Sequence, residues 1–220
     1  MGTRNLTVVR YKNKYRIAQY GQFDGYPAGQ GMTVLTFLKK ANLDKFKNNL
    51  EKVVFVKNND TAYENKLNEA IDLYNYIEEE VRKLEPELDY KQRKRKIFKH
   101  LSPELKFLYL ISTRNTGADI LNVIASAPEK IKKIKLYNLI DFAYNSLFCR
   151  WAYVIDLDKN SFEIYKGSVT EPLDPTERFY RKRKPKPEYE DDTIYYPVKL
   201  LKSYSLDKLP TKKEFLSLDE

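Results

Sequence analysis

The densest group of residues able to hold a ligand lies at positions 19–31, QYGQFDGYPAGQG. Gln19, Gln22 and Gln30 bring amides, Asp24 a carboxylate and Tyr26 a phenol, and four of the chain's seven glycines are interspersed with them. Glycine lets a backbone bend sharply and approach a guest, and short polar side chains on such a bend can be aimed at it. Gly29-Gln30-Gly31 precedes an apolar helical segment, so its N–H groups can also face an anion. A Walker loop is excluded because no Lys-Ser or Lys-Thr follows, and a dinucleotide fingerprint because the third glycine is missing. The competing account is purely structural: Asp24-Gly25 and Tyr26-Pro27 are turn chemistry, and the glycines admit close packing. Arg4 completes the candidate set, since a hairpin that begins there returns the chain to its side, where Arg4 meets Asp24 as an ion pair or a substrate clamp.

Other reactive groups are sparse. Cys149, between Phe148 and Trp151, reads as a buried structural thiol. A Cys–His dyad would need His100, the only histidine, which sits in a basic stretch. Paired carboxylates for acid–base work would require Asp24 to meet Asp156 or Asp158. Trp151 and Tyr153 fit a strand in the core better than a stacking site. One histidine and one cysteine leave no zinc spacing, so neither a metal nor a cofactor is expected.

The elements that must position these residues follow from periodicity. Residues 4–20 read as a β-hairpin turning at 11–14, with Leu6 and Val8 alternating with Thr7 and Val9. Met32 begins a helix. From 62 to 84, Leu67, Ile71, Tyr74, Ile77, Val81 and Leu84 line one helical face, which Pro86 ends. Ser102-Pro103 opens another helix, residues 118–127 a short one, and residues 135–148 a third, with Leu136, Leu139, Ile140, Ala143 and Leu147 as its buried stripe. Residues 151–157 and 162–166 form a second hairpin around Asp158-Lys159-Asn160-Ser161. A charged, Pro-rich surface excursion is expected at 171–192, a strand at 194–203 and a terminal helix opening at Thr211. This order predicts an α+β fold with a mainly antiparallel sheet, in a single domain over 1–220.

Two hundred and twenty residues with 42% hydrophobic content support a sizeable core. No apolar run is long enough to span a bilayer, and the charged first ten residues do not read as a secretory leader, so the expected location is the cytoplasm, with no membrane partner. The excess of 40 Lys and Arg over 31 Asp and Glu gives +9. It gathers at 91–99, 130–135 and 178–186. Nucleic acid is compatible with such runs, but solvated helix faces account for them more simply, and a small polar ligand or a protein is the favoured partner.

Residues 1–9 and the block AQYGQFDGYP with the glycines to Gly31 resemble a family of uncharacterised phage, bacterial and fungal proteins. Its members open on a Thr-Arg strand and carry a Gly-Gln-Trp-Asp-Gly-Tyr-Pro segment. The resemblance returns at 148–158, at 162–167 and more weakly at 196–215. Phe23 stands where the family has tryptophan, and Arg150 where an acid is expected. The outline is also similar to N-terminal-nucleophile hydrolases, which implies an αββα sandwich and an amide-cleaving first residue. Loss of Met1 would leave Gly2 first and Thr3 one position too deep.

These residues favour a binding module that holds a small polar, nucleotide-like ligand through Arg4, Gln19, Gln22, Asp24, Tyr26 and Gln30. An amide hydrolase is the catalytic alternative, with no catalytic residue assigned. The resemblance adds a phage-type interaction protein that acts on a host system through its basic surfaces, in the host cytoplasm.

Overall fold

The computed structural model describes residues 2–56, 60–112, 116–182 and 193–219. Contacts divide the chain into two compact units, residues 1–56 with 114–220 and residues 57–113, where the sequence pattern predicted one domain. The class is α+β.

In the first unit, β1 (Asn5–Tyr11) and β2 (Lys14–Gly21) form the expected hairpin. Its turn residues Lys12 and Asn13 both take positive φ, 52° and 57°, as a two-residue turn matched to strand twist requires. β5 (Trp151–Asp156) and β6 (Ser161–Lys166) form the second hairpin, and β7 (Lys199–Ser205) pairs antiparallel with β6. The sheet order is β2-β1-β5-β6-β7. Three ladders are antiparallel, but the two hairpins are joined by a parallel one, with Asn5 opposite Trp151 and Arg10 opposite Asp156. The sheet is therefore mixed. The described strands supply one five-stranded sheet and one two-stranded ladder, and do not build the two stacked sheets of an αββα sandwich.

Both faces are covered, which is why Asn5, Leu6, Thr7, Val8 and Val9 are all buried instead of alternating. On one face Leu6, Val8, Ala152, Val154 and Tyr165 pack with Ala143, Cys149, Leu173, Phe179 and Val198. On the other, Phe215 stacks on Phe162 at 5.8 Å, and the Tyr153 hydroxyl donates to Gly25 O at 2.8 Å. Phe215 belongs to α7 (Lys212–Leu216), whose N-cap Thr211 accepts from Glu214 N as expected. Three further helices complete this unit: α1 (Met32–Lys40), α2 (Leu43–Glu51) and α6 (Ile120–Ala125). Asn49 of α2 ties α6 by donating from Nδ2 to Ile124 O at 2.9 Å.

Two expectations about single elements change. The helix over 135–148 is absent: β4 (Ile134–Leu136) pairs in parallel with β3 (Val53–Phe55), and a 3-10 turn spans Ile140–Tyr144. Burial of Ile134 and Leu136 on alternate positions, with Val56 N donating to Leu136 O at 2.9 Å, outweighs a helical stripe whose Leu139 is exposed. The last strand starts at Lys199; Tyr196 and Val198 before it donate singly to Val169 O and Ala143 O. Within residues 171–182, Leu173 and Phe179 are core residues and most of the others are exposed; residues 183–192 lie outside the described residues.

The second unit is three helices: α3 (Thr61–Leu84), α4 (Tyr90–His100) and α5 (Pro103–Ser112). Asp60 caps α3 by accepting from Tyr63 N, and Asp89 forms a capping box with Gln92 on α4. Tyr74, Val81, Ile97 and Leu101 make its core. Tyr74 stacks on Tyr109 at 3.9 Å, and both rings meet Phe98 edge-on.

Because Phe179 is fully buried, Phe179→Ala is expected to cost about 3–5 kcal/mol in urea unfolding, as a core aromatic does. A loss under about 0.5 kcal/mol, typical of an exposed site, would contradict this packing.

Candidate functional site

The bend after β2 is held by its own backbone. Gly25 N donates to Thr3 O at 2.9 Å and Gln30 N to Asp24 O at 2.8 Å, while Gly29 N and Gly31 N both donate to Tyr26 O. Asp24 has φ 54°, and the chain doubles back so tightly that a Cβ at Gly29 would fall 2.2 Å from Asp24 O. A Cβ at Gly31 would meet the Phe215 ring and the Tyr153 hydroxyl, both at 2.9 Å. These glycines serve packing, as the structural account of the bend holds.

Four of the six candidate side chains engage neighbouring groups of the fold. Arg4 lies over the Phe148 ring, its guanidinium carbon 4.8 Å from the centroid. Gln19 donates to the neighbouring Tyr20 O at 3.1 Å, and Gln22 accepts from the Tyr20 hydroxyl. Gln30 Oε1 accepts from Ala118 N at 2.7 Å, which fixes the turn that opens α6. Asp24 and Tyr26 remain exposed at the apex, beside exposed Phe23.

What opens next to the bend is a groove of about 560 Å³, whose lining includes Ala28 and Gly29 of the bend and residues of α1, of the start of α2 and of α6. Thr33, Thr36, Asn42 and Asn122 supply hydrogen-bonding groups, Met32 and Phe37 apolar contact, and Lys40 and Lys45 two ammonium groups. The lining contains no carboxylate. None of the six candidates lines this groove; Gln30, next to Gly29 in the chain, accepts from Ala118 N in the turn before α6. The groove's helical residues are not legible in the sequence because only the fold brings 28–45 and 122–125 together; the Lys40 and Lys45 charges were the visible signal.

The remaining candidates are structural. Cys149 is fully buried, and burial pushes its thiol far above the ordinary range, so it is no nucleophile. His100 belongs to the other unit, at the end of α4. Asp24 and Asp156 stand at opposite ends of the sheet: the bend adjoins the Asn5 level and Asp156 pairs with Arg10, five strand steps or about 17 Å away. Asp158 instead accepts from Lys12 N at 2.7 Å and Asn13 N at 2.9 Å, which locks the two hairpin tips together.

Asp156 does find a carboxylate partner, Glu163, through Arg178. The guanidinium reaches Glu163 by Nε and Nη2 at 2.7 and 2.8 Å and Asp156 by Nη2 at 2.5 Å. The Tyr165 hydroxyl and Ser161 Oγ also donate to Glu163, at 2.6 and 2.9 Å. Burial by itself raises both carboxyls, but the Arg178 hydrogen bonds and charge outweigh it and hold them below their ordinary values. Every oxygen is engaged, so the cluster is a clamp between the sheet and residues 171–182.

No family model, curated protein or solved structure matches the chain. Among the described residues no group of three or more His, Cys, Asp or Glu could hold a metal ion, and no helix is long and apolar enough to cross a membrane.

Removing Arg178 strands Glu163 and leaves Asp156 only the longer Arg10 contact at 3.4 Å and two backbone amides, so Arg178→Ala is expected to cost about 3–5 kcal/mol in urea unfolding near neutral pH. Arg178→Met combined with Asp156→Asn and Glu163→Gln should recover part of that loss. The native carboxyl pKa values lie below the unfolded ones, so the clamp's contribution is complete above the ordinary carboxylate range and vanishes as pH falls through the native values. The triple variant should lack that component of the acid sensitivity; an unchanged pH profile would contradict the assignment.

Proposed function

We propose that the protein is a binding module for a small anionic ligand of nucleotide type, held in the groove beside the bend. The observation that carries this reading is a lining with two ammonium groups, four polar side chains and no carboxylate. Lys40 and Lys45 suit a phosphate, the Thr and Asn side chains suit ribose-like or amide groups, and Met32 and Phe37 suit a flat apolar ring. No ion pair among the described residues neutralises either lysine. The bend contributes its backbone at Ala28 and Gly29, while Gln30 contributes by seating α6.

A thermal-shift panel of nucleotides and inorganic phosphates tests this. Ligand at about 100-fold over Kd stabilises by about 2.7 kcal/mol. That shift should disappear in Lys40→Glu/Lys45→Glu and survive in Asp24→Ala, whose side chain lies outside the groove. A panel without hits, or a hit abolished by Asp24→Ala and retained by the double lysine variant, would overturn the proposal.

A further inference from the structure

The helix α4 reads YKQRKRKIFKH: six Lys or Arg and no acidic residue in eleven positions. Its buried anchor is Ile97. Lys91, Arg95 and Lys99 recur every fourth residue on the opposite side and are exposed, so they form a straight stripe with about 6 Å of rise between successive charges. Lys94 flanks the stripe with its ammonium over the Tyr90 and Phe98 rings, and Lys106 of α5 approaches the same Phe98 ring at 4.9 Å. The surface is thus five cations wide and carries an exposed aromatic, Tyr90.

Among the described residues no acid forms an ion pair with the stripe, the adjoining Glu87 and Glu104 included. Glu85 is taken by Lys96, and Asp89 by the capping box with Gln92. Among the described residues none of Lys91, Lys94, Arg95 and Lys99 forms an ion pair. Like charges at i,i+4 destabilise a helix by a few tenths of a kcal/mol per pair, a cost that a regularly spaced polyanion would turn into attraction. A solvated face gains nothing from keeping three cations in register and keeping acids away; a phosphate backbone does.

We infer that α4 is a docking helix for nucleic acid, engaging the phosphate backbone through Lys91, Arg95 and Lys99 without reading sequence. The site is in the second unit and is independent of the groove in the first. Contacts of this kind release counterions, and affinity falls with a log–log salt slope of about −0.9 per phosphate for duplex and −0.7 for single strands.

The test is fluorescence anisotropy with the full chain on a labelled dT 20-mer and on a 20-bp DNA duplex, from 50 to 200 mM salt. Lys91→Gln/Arg95→Gln/Lys99→Gln keeps helix propensity while removing the stripe, and its melting curve reports folding. The expected result is binding to at least one probe that weakens about tenfold or more in the folded triple variant, with a salt slope shallower by about 2 to 3. Lys130→Gln/Lys132→Gln/Lys133→Gln in the other unit should retain the slope. Absence of binding at 50 mM salt, an unchanged slope in the stripe variant, or binding only to vesicles with anionic lipid would each overturn the assignment.

Discussion

The parallel ladder between β1 and β5 is the constraint from which the architecture follows. It pairs residues 146 positions apart, Arg10 with Asp156, and it is buried on both sides. Antiparallel neighbours can be joined by a two-residue turn, but a parallel pair cannot; the chain must travel back along the sheet before it re-enters. β2 makes that return, since Gly21 and Trp151 both stand beside Asn5, and the chain between them leaves and re-enters the sheet at that one end. That stretch of chain contains the bend, α1, α2, the small β3–β4 ladder and α6, and it is long enough to accept a second compact unit at residues 57–113. Loop-closure cost grows only slowly with length, so an inserted unit adds little to the cost of closing this ladder.

The same register gives the sheet two unlike ends. At one, the starts of β1 and β5 meet the end of β2, and the chain leaves into the bend. There Tyr153 donates to Gly25 O, while Asn5 Nδ2 reaches Gly21 O at 3.3 Å, so one strand tyrosine and one strand asparagine hold the bend's backbone. At the other end both hairpin tips meet. Asp158 accepts the Lys12 and Asn13 amides, Asp156 accepts the Asp158 and Lys159 amides, and Arg178 closes the end from residues 171–182. The polar residues at this end are consumed by structure, whereas Phe23, Asp24 and Tyr26 at the bend are left outward.

Local signals in the sequence were legible wherever local physics decided the outcome. Both hairpins, the Thr211 cap, the Pro103 helix start and the 3.6-residue stripe from Leu67 to Val81 all rest on contacts within a few residues or on burial of one face. The misread segments are those decided by distant partners. Residues 134–136 alternate too briefly to announce a strand until β3 is beside them, and Phe179 looks like part of a charged run until the sheet face beneath it is known. Basic residues 91–99 read as a solvated helix face, but the bounds of α4 were not legible because its only buried residue is Ile97. The candidate site was legible in part: the bend exists as expected, yet its amides are directed at Tyr20 and Ala118, and the groove beside it depends on α6 arriving from residues far along the chain.

Charge compensation separates structure from function in this molecule more sharply than residue type does. Asp156 and Glu163 are nearly dry and are compensated by Arg178 together with Arg10, and a buried charge without its partner would cost several kcal/mol, so these residues cannot be released to serve a ligand without loosening the fold. Exposed lysines obey the opposite arithmetic. A surface pair is worth at most about 1 kcal/mol and like charges at i,i+4 cost a few tenths per pair, so leaving Lys40, Lys45 or the α4 stripe without acids is a cost the fold can bear. A cation that the fold neither needs nor neutralises keeps its full attraction for an outside anion. The two proposed sites collect such cations in different geometries, one in a groove and one along a helix. Their shapes, more than their shared charge, distinguish the ligands they suit.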